Sequence, residues 1–291
     1  MVELLVTMVI LAVIGTLVAT TMLGQQRFFQ NTYEMVGVRR ELRTAMSMVP
    51  ADVRGFSSIG GDVSAFSESS LRFRATFGAS IVCARTGAST LFLPPLNLRN
   101  HTLTSWTEQP QAGDTIFAFD EGALRGAEDD AWIPLTISSI TPDLTQCLGA
   151  PFTAPADLLK PRWRVVVAEA VPATVLVGAG LRFAHHVQYA LEKSPDTDRW
   201  YLAQTVRRNG AWEDPVIVSG PYDVPAEGGM RLTYFDSLGV QLTPGVGATR
   251  ISRVDLFMQA AGVPGSSALY KGGDATPRDS LAFRIAIRNR Q

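Results

Sequence analysis

Few side chains in this sequence are spaced for chemistry. The three histidines are His101, His185 and His186. The last two are neighbours in "HHVQYALE", which reads as a strand, so they point to opposite faces and cannot share a metal ion. The two cysteines, Cys83 and Cys147, form no metal-ligand spacing. They are either two buried thiols or, in an oxidising compartment, a disulfide. "DEGALRGAEDDAW" (120–132) holds five carboxylates but does not match a calcium-binding EF-hand loop, so it reads as a solvated acidic loop. "GAGLRF" and "GVGATR" lack the third glycine of a phosphate-binding motif and read as turns. No serine sits in a G-x-S-x-G elbow. No catalytic, cofactor-binding or metal-ligating residue is expected.

The remaining candidate is Glu3, because of where it stands. From Leu4 to Leu23 the chain is almost wholly apolar and carries no charge. Those twenty residues, at about 1.5 Å each, span a hydrocarbon core of roughly 30 Å. A carboxylate at the edge of such a run is costly unless it meets water or a cation. It lies either idle in the headgroup region or at a site where a cation reaches it. A cleaved signal peptide fits less well, since its apolar stretch is shorter and follows a basic region.

The helical pattern continues past the apolar run. Phe28, Met35, Leu42 and Val49 recur at seven-residue spacing, and Val38, Ala45, Met46 and Val53 widen the same stripe. Gln30, Glu34, Arg39, Arg40 and Arg43 lie largely off it. Pro50 should kink or end the last turn, and Gly55 suits a C-cap. One helix is expected to reach about Arg54, with residues 1–23 in lipid and 24–54 against a soluble domain.

After Gly55 the pattern becomes short strands and turns. Strands are expected at 70–77, 114–119, 163–171, 185–192, 199–208, 214–220, 230–236, 251–260 and 280–289. Weak helical patterns appear only in "TPDLTQCLGAP" and "APADLLKPR". The fold class is therefore α+β: a long N-terminal helix on a β-rich, mainly antiparallel head covering 55–291, whose sheets are expected to join near 149–161 if there are two. In "SLAFRIAIRNR", Phe283, Ile285 and Ile287 face one way and Arg284 and Arg288 the other. A chain of 291 residues with 18% charged residues and net charge −1 is neither disordered nor basic enough for non-specific nucleic-acid binding.

"MVELLVTMVILAVIGTLVAT", followed by an amphipathic helix, resembles the N-terminus of type IV pilins and pseudopilins. Processed chains of that family begin Phe-Thr-Leu-Val-Glu or close to it. Met1-Val2-Glu3 match the last three of those positions, with Met1 in place of the usual leucine. The resemblance implies that Met1 is an internal methionine, preceded by Gly, Phe-Thr and a short basic leader. It also implies that Glu3 neutralises the N-terminal amine of a neighbouring subunit. Arg27, Arg39, Arg40 and Arg43 follow the span, so the positive-inside rule alone would put the head in the cytoplasm. The resemblance implies a periplasmic head, and a basic leader would reconcile the two.

The order "VQYALE", "RWYLAQTVRRNGAWED", "GGMRLTYFDSLGVQL", "RISRVDLFMQA", "LAFRIAIRNR" is similar to the larger minor pilins, in particular the PilW-like group and the J-type pseudopilin of type II secretion. The implied role is a non-enzymatic minor pilin in pilus assembly and initiation, single-pass in the inner membrane and then in the fibre. The implied partners are other minor and major pilins, the inner-membrane assembly platform, the lipid bilayer, and the prepilin peptidase that processes and methylates the precursor. No cofactor and no nucleic acid are implied. A J-type pseudopilin of type II secretion is the near alternative, and a signal-anchored periplasmic enzyme or binding protein is the rival of a different class.

Overall fold

The computed structural model describes residues 2–96, 98, 101–124, 128–262 and 278–287, with backbone only for 2–5, 9, 27 and 31. Its first element, α1, is one helix of 54 residues, Val2–Gly55, about 80 Å long. The stripe read from the sequence is buried only over its second half. Val38, Leu42, Ala45, Val49 and Val53 are at most 6% exposed, whereas Phe28 is 67% exposed. Phe28 keeps the spacing but lies beyond the reach of the head. The helix also runs through Pro50 for a further turn. A proline there removes one backbone N–H, but Val49 and Val53 on either side are buried against the sheet, and that packing holds the turn.

The head is built from sixteen strands among the described residues. The first eight are β1 (Val63–Phe66), β2 (Ser70–Ile81), β3 (Ala84–Thr86), β4 (Thr90–Leu93), β5 (Ser105–Trp106), β6 (Thr115–Asp120), β7 (Ala131–Asp143) and β8 (Arg162–Val167). The rest are β9 (Gly180–Lys193), β10 (Trp200–Arg208), β11 (Ala211–Trp212), β12 (Val216–Tyr222), β13 (Met230–Phe235), β14 (Gln241–Leu242), β15 (Arg253–Ala261) and β16 (Arg278–Ala286). The main path runs β14-β13-β15-β12-β10-β9-β6-β7-β8-β4-β3. The named strand pairs are all antiparallel. This is the α+β arrangement expected from the sequence, one long helix on an antiparallel head.

The clearest expected strands are those with strict alternation. In β2, Leu71, Phe73 and Ala75 are buried, and in β16 Ile285 is buried while Arg284 is exposed. Arg288 lies outside the described residues. β7 forms where the sequence pattern gives no strand. Pro134 and Pro142 interrupt its pattern, yet it pairs with β6 and β8, and Leu135 and Ile137 are buried. "GAGLRF" is a turn only at its start: Gly178 has φ 98°, and Gly180 opens β9.

Two of the expected features correct themselves in the β7–β8 connection. "TPDLTQCLGAP" is not helical. Thr141–Asp143 end β7, and Cys147 and Gly149 have φ 59° and 95°, values a right-handed helix does not allow. "APADLLKPR" holds only a single 3-10 turn, Pro155–Asp157. The segment 149–161 links β7 to β8, which are hydrogen-bonded neighbours. Arg162, 1% exposed, organises the connection by donating to the carbonyls of Gln146 (3.1 Å), Leu158 (2.7 Å), Lys160 (3.3 Å) and Leu144. Cys147 in the same loop is bonded to Cys83, with Cα atoms 5.5 Å apart.

Apolar burial forms two main clusters. The first joins the α1 stripe to β1, β2, the second half of β9, and β10, β12, β13, β14, β15 and β16. The second lies under β4, β6, β7, β8 and the first half of β9. Only β2 and β9 supply residues to both.

Two outcomes follow from this packing. Leu42→Ala removes a fully buried side chain and should destabilise the folded protein by about 2–5 kcal/mol, read as a lowered thermal midpoint with the helix and head melting together. Replacing Cys83 and Cys147 by serine opens a bridge spanning 64 positions and should cost roughly 4 kcal/mol by loop entropy. Thiol labelling of the denatured, non-reduced wild type should find no free thiol.

Candidate assembly interface

Every described side chain from Val6 to Tyr33 is exposed. They include Val6, Met8, Ile10, Leu11, Val13, Ile14, Leu17, Val18, Met22 and Leu23. By length and composition this helix can cross a membrane, and none of its apolar window is covered by the head. The hydroxyls of Thr16, Thr20 and Thr21 are already satisfied. The Thr16 hydroxyl donates to the Val13 carbonyl at 2.8 Å, Thr20 to Thr16 at 2.9 Å and Thr21 to Leu17 at 2.8 Å. Such back-bonding removes the cost of placing a hydroxyl where no water can reach it. The surface is therefore suited to lipid or to other apolar helices.

Polar contacts fix where the head sits on α1. The Gly220 N–H donates to Glu41 Oε2 at 3.2 Å, and the Tyr222 hydroxyl donates to the Glu41 carbonyl at 3.2 Å. Arg39 Nε donates to Asp279 Oδ2 at 2.8 Å. One helical turn from the end, the Tyr189 hydroxyl donates to Asp52 Oδ2 at 2.6 Å, and Gln204 Nε2 donates to the Tyr189 oxygen at 2.9 Å. Burial pushes the Asp52 carboxyl above its ordinary range, against the Tyr189 hydrogen bond, and burial also raises the Tyr189 phenol. Just past the helix, Asp62 Oδ2 accepts the Ser57 N–H at 2.6 Å, and its carboxylate lies 3.3 Å from Arg74 and 3.5 Å from Arg182. Neither Asp52 nor Asp62 stands out in the sequence, because Tyr189 and Gln204 beside Asp52, and Arg182 beside Asp62, come from strands far along the chain.

Glu3 lies within α1, but its side chain is outside the described residues. His101 is exposed in a loop. The acidic stretch is held by its own carboxylate: Asp129 Oδ2 accepts the N–H groups of Ala123 (2.6 Å) and Leu124 (2.9 Å), while 125–127 lie outside the described residues. No cluster of His, Cys, Asp and Glu among the described residues is arranged to hold a metal.

His185 occupies the seam between the two apolar clusters. It is 8% exposed and stacks on Phe77 with ring centroids 4.7 Å apart. On one side of β9, the β10 ladder reaches Arg207 opposite His186, and the β6 ladder begins with Thr115 opposite Ala184. Their next residues, Arg208 and Asp114, therefore meet beside His185. Arg208 lies 3.7 Å from Asp114 and 3.3 Å from Glu213, and is in contact with Glu108. Burial pushes the Asp114 carboxyl up to about 6, opposed by the Gln111 N–H and Arg208. Burial, then Arg208 and His186, push the His185 imidazole down to about 4.

These two groups should give opposite pH dependences. The raised Asp114 contributes stability that is fully present below 3.8 and lost as pH rises through about 6. The depressed His185 contributes stability present above 6.5 and lost as pH falls through about 4. In the wild type the two slopes largely cancel. Relative to the wild type, Asp114→Asn should lose stability as pH drops from 6.5 to 4 and His185→Gln should gain it, each by about 2 kcal/mol. Thermal melts across that window measure both. Compared with protein-family models, with curated proteins and with solved structures, the chain matches none.

Proposed function

We propose that the chain is a minor pilin of the PilW-like group, which works by packing rather than by catalysis. The observation that carries this reading is the continuity of α1. Its second half is part of the head's core, while its first half is apolar and uncovered. A head rigidly joined to such a helix suits an anchor in the inner membrane first and a stack of similar helices afterwards. The general architecture, a long N-terminal helix on a β-rich head, is that of pilin-like proteins. In this reading the head is periplasmic, and the subunit joins other pilins in a complex that starts or caps a type IV pilus.

Glu3 is the assembly residue of this proposal. In a low-dielectric helix bundle, a carboxylate and the N-terminal amine of a neighbour attract strongly and relieve each other's desolvation. Glu3→Ala should leave head stability unchanged, since the docked stripe begins at Val38. The variant should accumulate in the inner membrane at wild-type levels, because it loses a costly carboxylate. It should enter fibres poorly, with fewer pili on the cell. Incorporation and piliation at wild-type levels would reject the docking role of Glu3.

A further inference from the structure

The outer face of α1 carries a charge pattern that membrane anchoring does not use. Val36, Arg39, Arg40, Arg43, Thr44 and Ser47 line one open groove. At about 100° per residue, Arg40, Arg43 and Ser47 lie opposite the stripe that α1 buries in the head. Arg40 and Arg43 are exposed and form no ion pair among the described residues, and Arg39 stays 60% exposed in its pair with Asp279. The nearby acids are directed elsewhere. Glu34 and Glu41 line the groove on the head side, beside Gly220 and Pro221, and Asp52 accepts from Tyr189. Between Val36 and Ser47 the outer face is therefore purely positive. Directly below it on the same side, Phe29, Tyr33 and Val36 are exposed.

We propose that this face docks the acidic, amphipathic face of a helix from a different subunit and disfavours a second copy of this chain. The aromatic and aliphatic row supplies apolar contact, and the arginines choose the partner's charge. A helix brought against this face desolvates the arginines, so a carboxylate row is favoured and a basic row is repelled. A second copy packed face to face offers only its own arginines there. Lipid headgroups do not fit as the counter-charge. Arg39 lies sixteen residues beyond Leu23, about 24 Å along the helix, or roughly three screening lengths at physiological salt. Nucleic acid is disfavoured by the net charge of −1 and by the apolar row beside the arginines. The inference rests on the assembly reading for the partner being a subunit. The charge preference itself does not.

The test uses the full chain in detergent micelles and two synthetic helices sharing one apolar stripe, one flanked by glutamates and one by lysines at the same positions. The glutamate helix should bind about tenfold tighter at low salt, and the preference should shrink at about 0.5 M salt. Arg40→Glu with Arg43→Glu should reverse it, and Arg40→Gln or Arg43→Gln alone should weaken it. All these positions are exposed, so the melting midpoint should not move. Equal binding of the two helices, or an unchanged preference in the double variant, would overturn the proposal. Stronger displacement by single-stranded DNA than by the glutamate helix itself would also overturn it, in favour of nucleic acid. Charge selectivity retained alongside wild-type assembly of Glu3→Ala would instead reject only the role assigned to Glu3.

Discussion

The structure depends on the burial of one stripe of α1 against the head. Val38, Leu42, Ala45, Val49 and Val53 join residues from nine strands in a single apolar cluster. Each large side chain there contributes roughly 1.5–3 kcal/mol relative to exposure. This couples the two halves of the chain mechanically. The helix cannot leave the head without opening its core, so whatever holds the exposed half also positions the head.

Apolar packing alone would tolerate sliding along the helix, because the stripe repeats. Polar contacts at three levels remove that freedom. Arg39 and Glu41 meet Asp279 and Gly220 near the point where the head begins, Asp52 meets Tyr189 near the helix end, and Asp62 ties the exit turn to Arg74 and Arg182. Burial raises Asp52 and Asp62 above the usual carboxylate range, which marks the cost of placing acids there. A slip of one turn would separate them from these partners, at about 1–3 kcal/mol or more for each acid left unpaired. The acids thus supply register, and the stripe supplies affinity.

Within the head, β2 and β9 serve both apolar clusters, and their midpoint is polar. Phe77 and His185 stack where β10 ends and β6 begins. β2 holds one edge of β9 across this stretch, and two strands cannot share the same stretch of its other edge, so β10 must end where β6 begins. Arg208 and its carboxylates fill it.

The sequence by itself determined what depends on local spacing. It specified a membrane-length apolar run, an amphipathic continuation, a helix ending near Gly55, and strands wherever apolar and polar residues alternate strictly. These are legible because a face is set by the period of one element. Tertiary structure decided the rest. It chose how far down the stripe the head reaches, leaving Phe28 bare, and carried the helix through Pro50. It made a strand of residues 131–143 despite two prolines, since β6 and β8 supply partners for its buried positions. It gave Arg162 four carbonyls from a loop that reads as weakly helical, and brought Asp114 and Arg208 to His185. Each outcome depends on which distant strand lies alongside and in what register, and that is set by the combined packing of many elements, not by the period of any one.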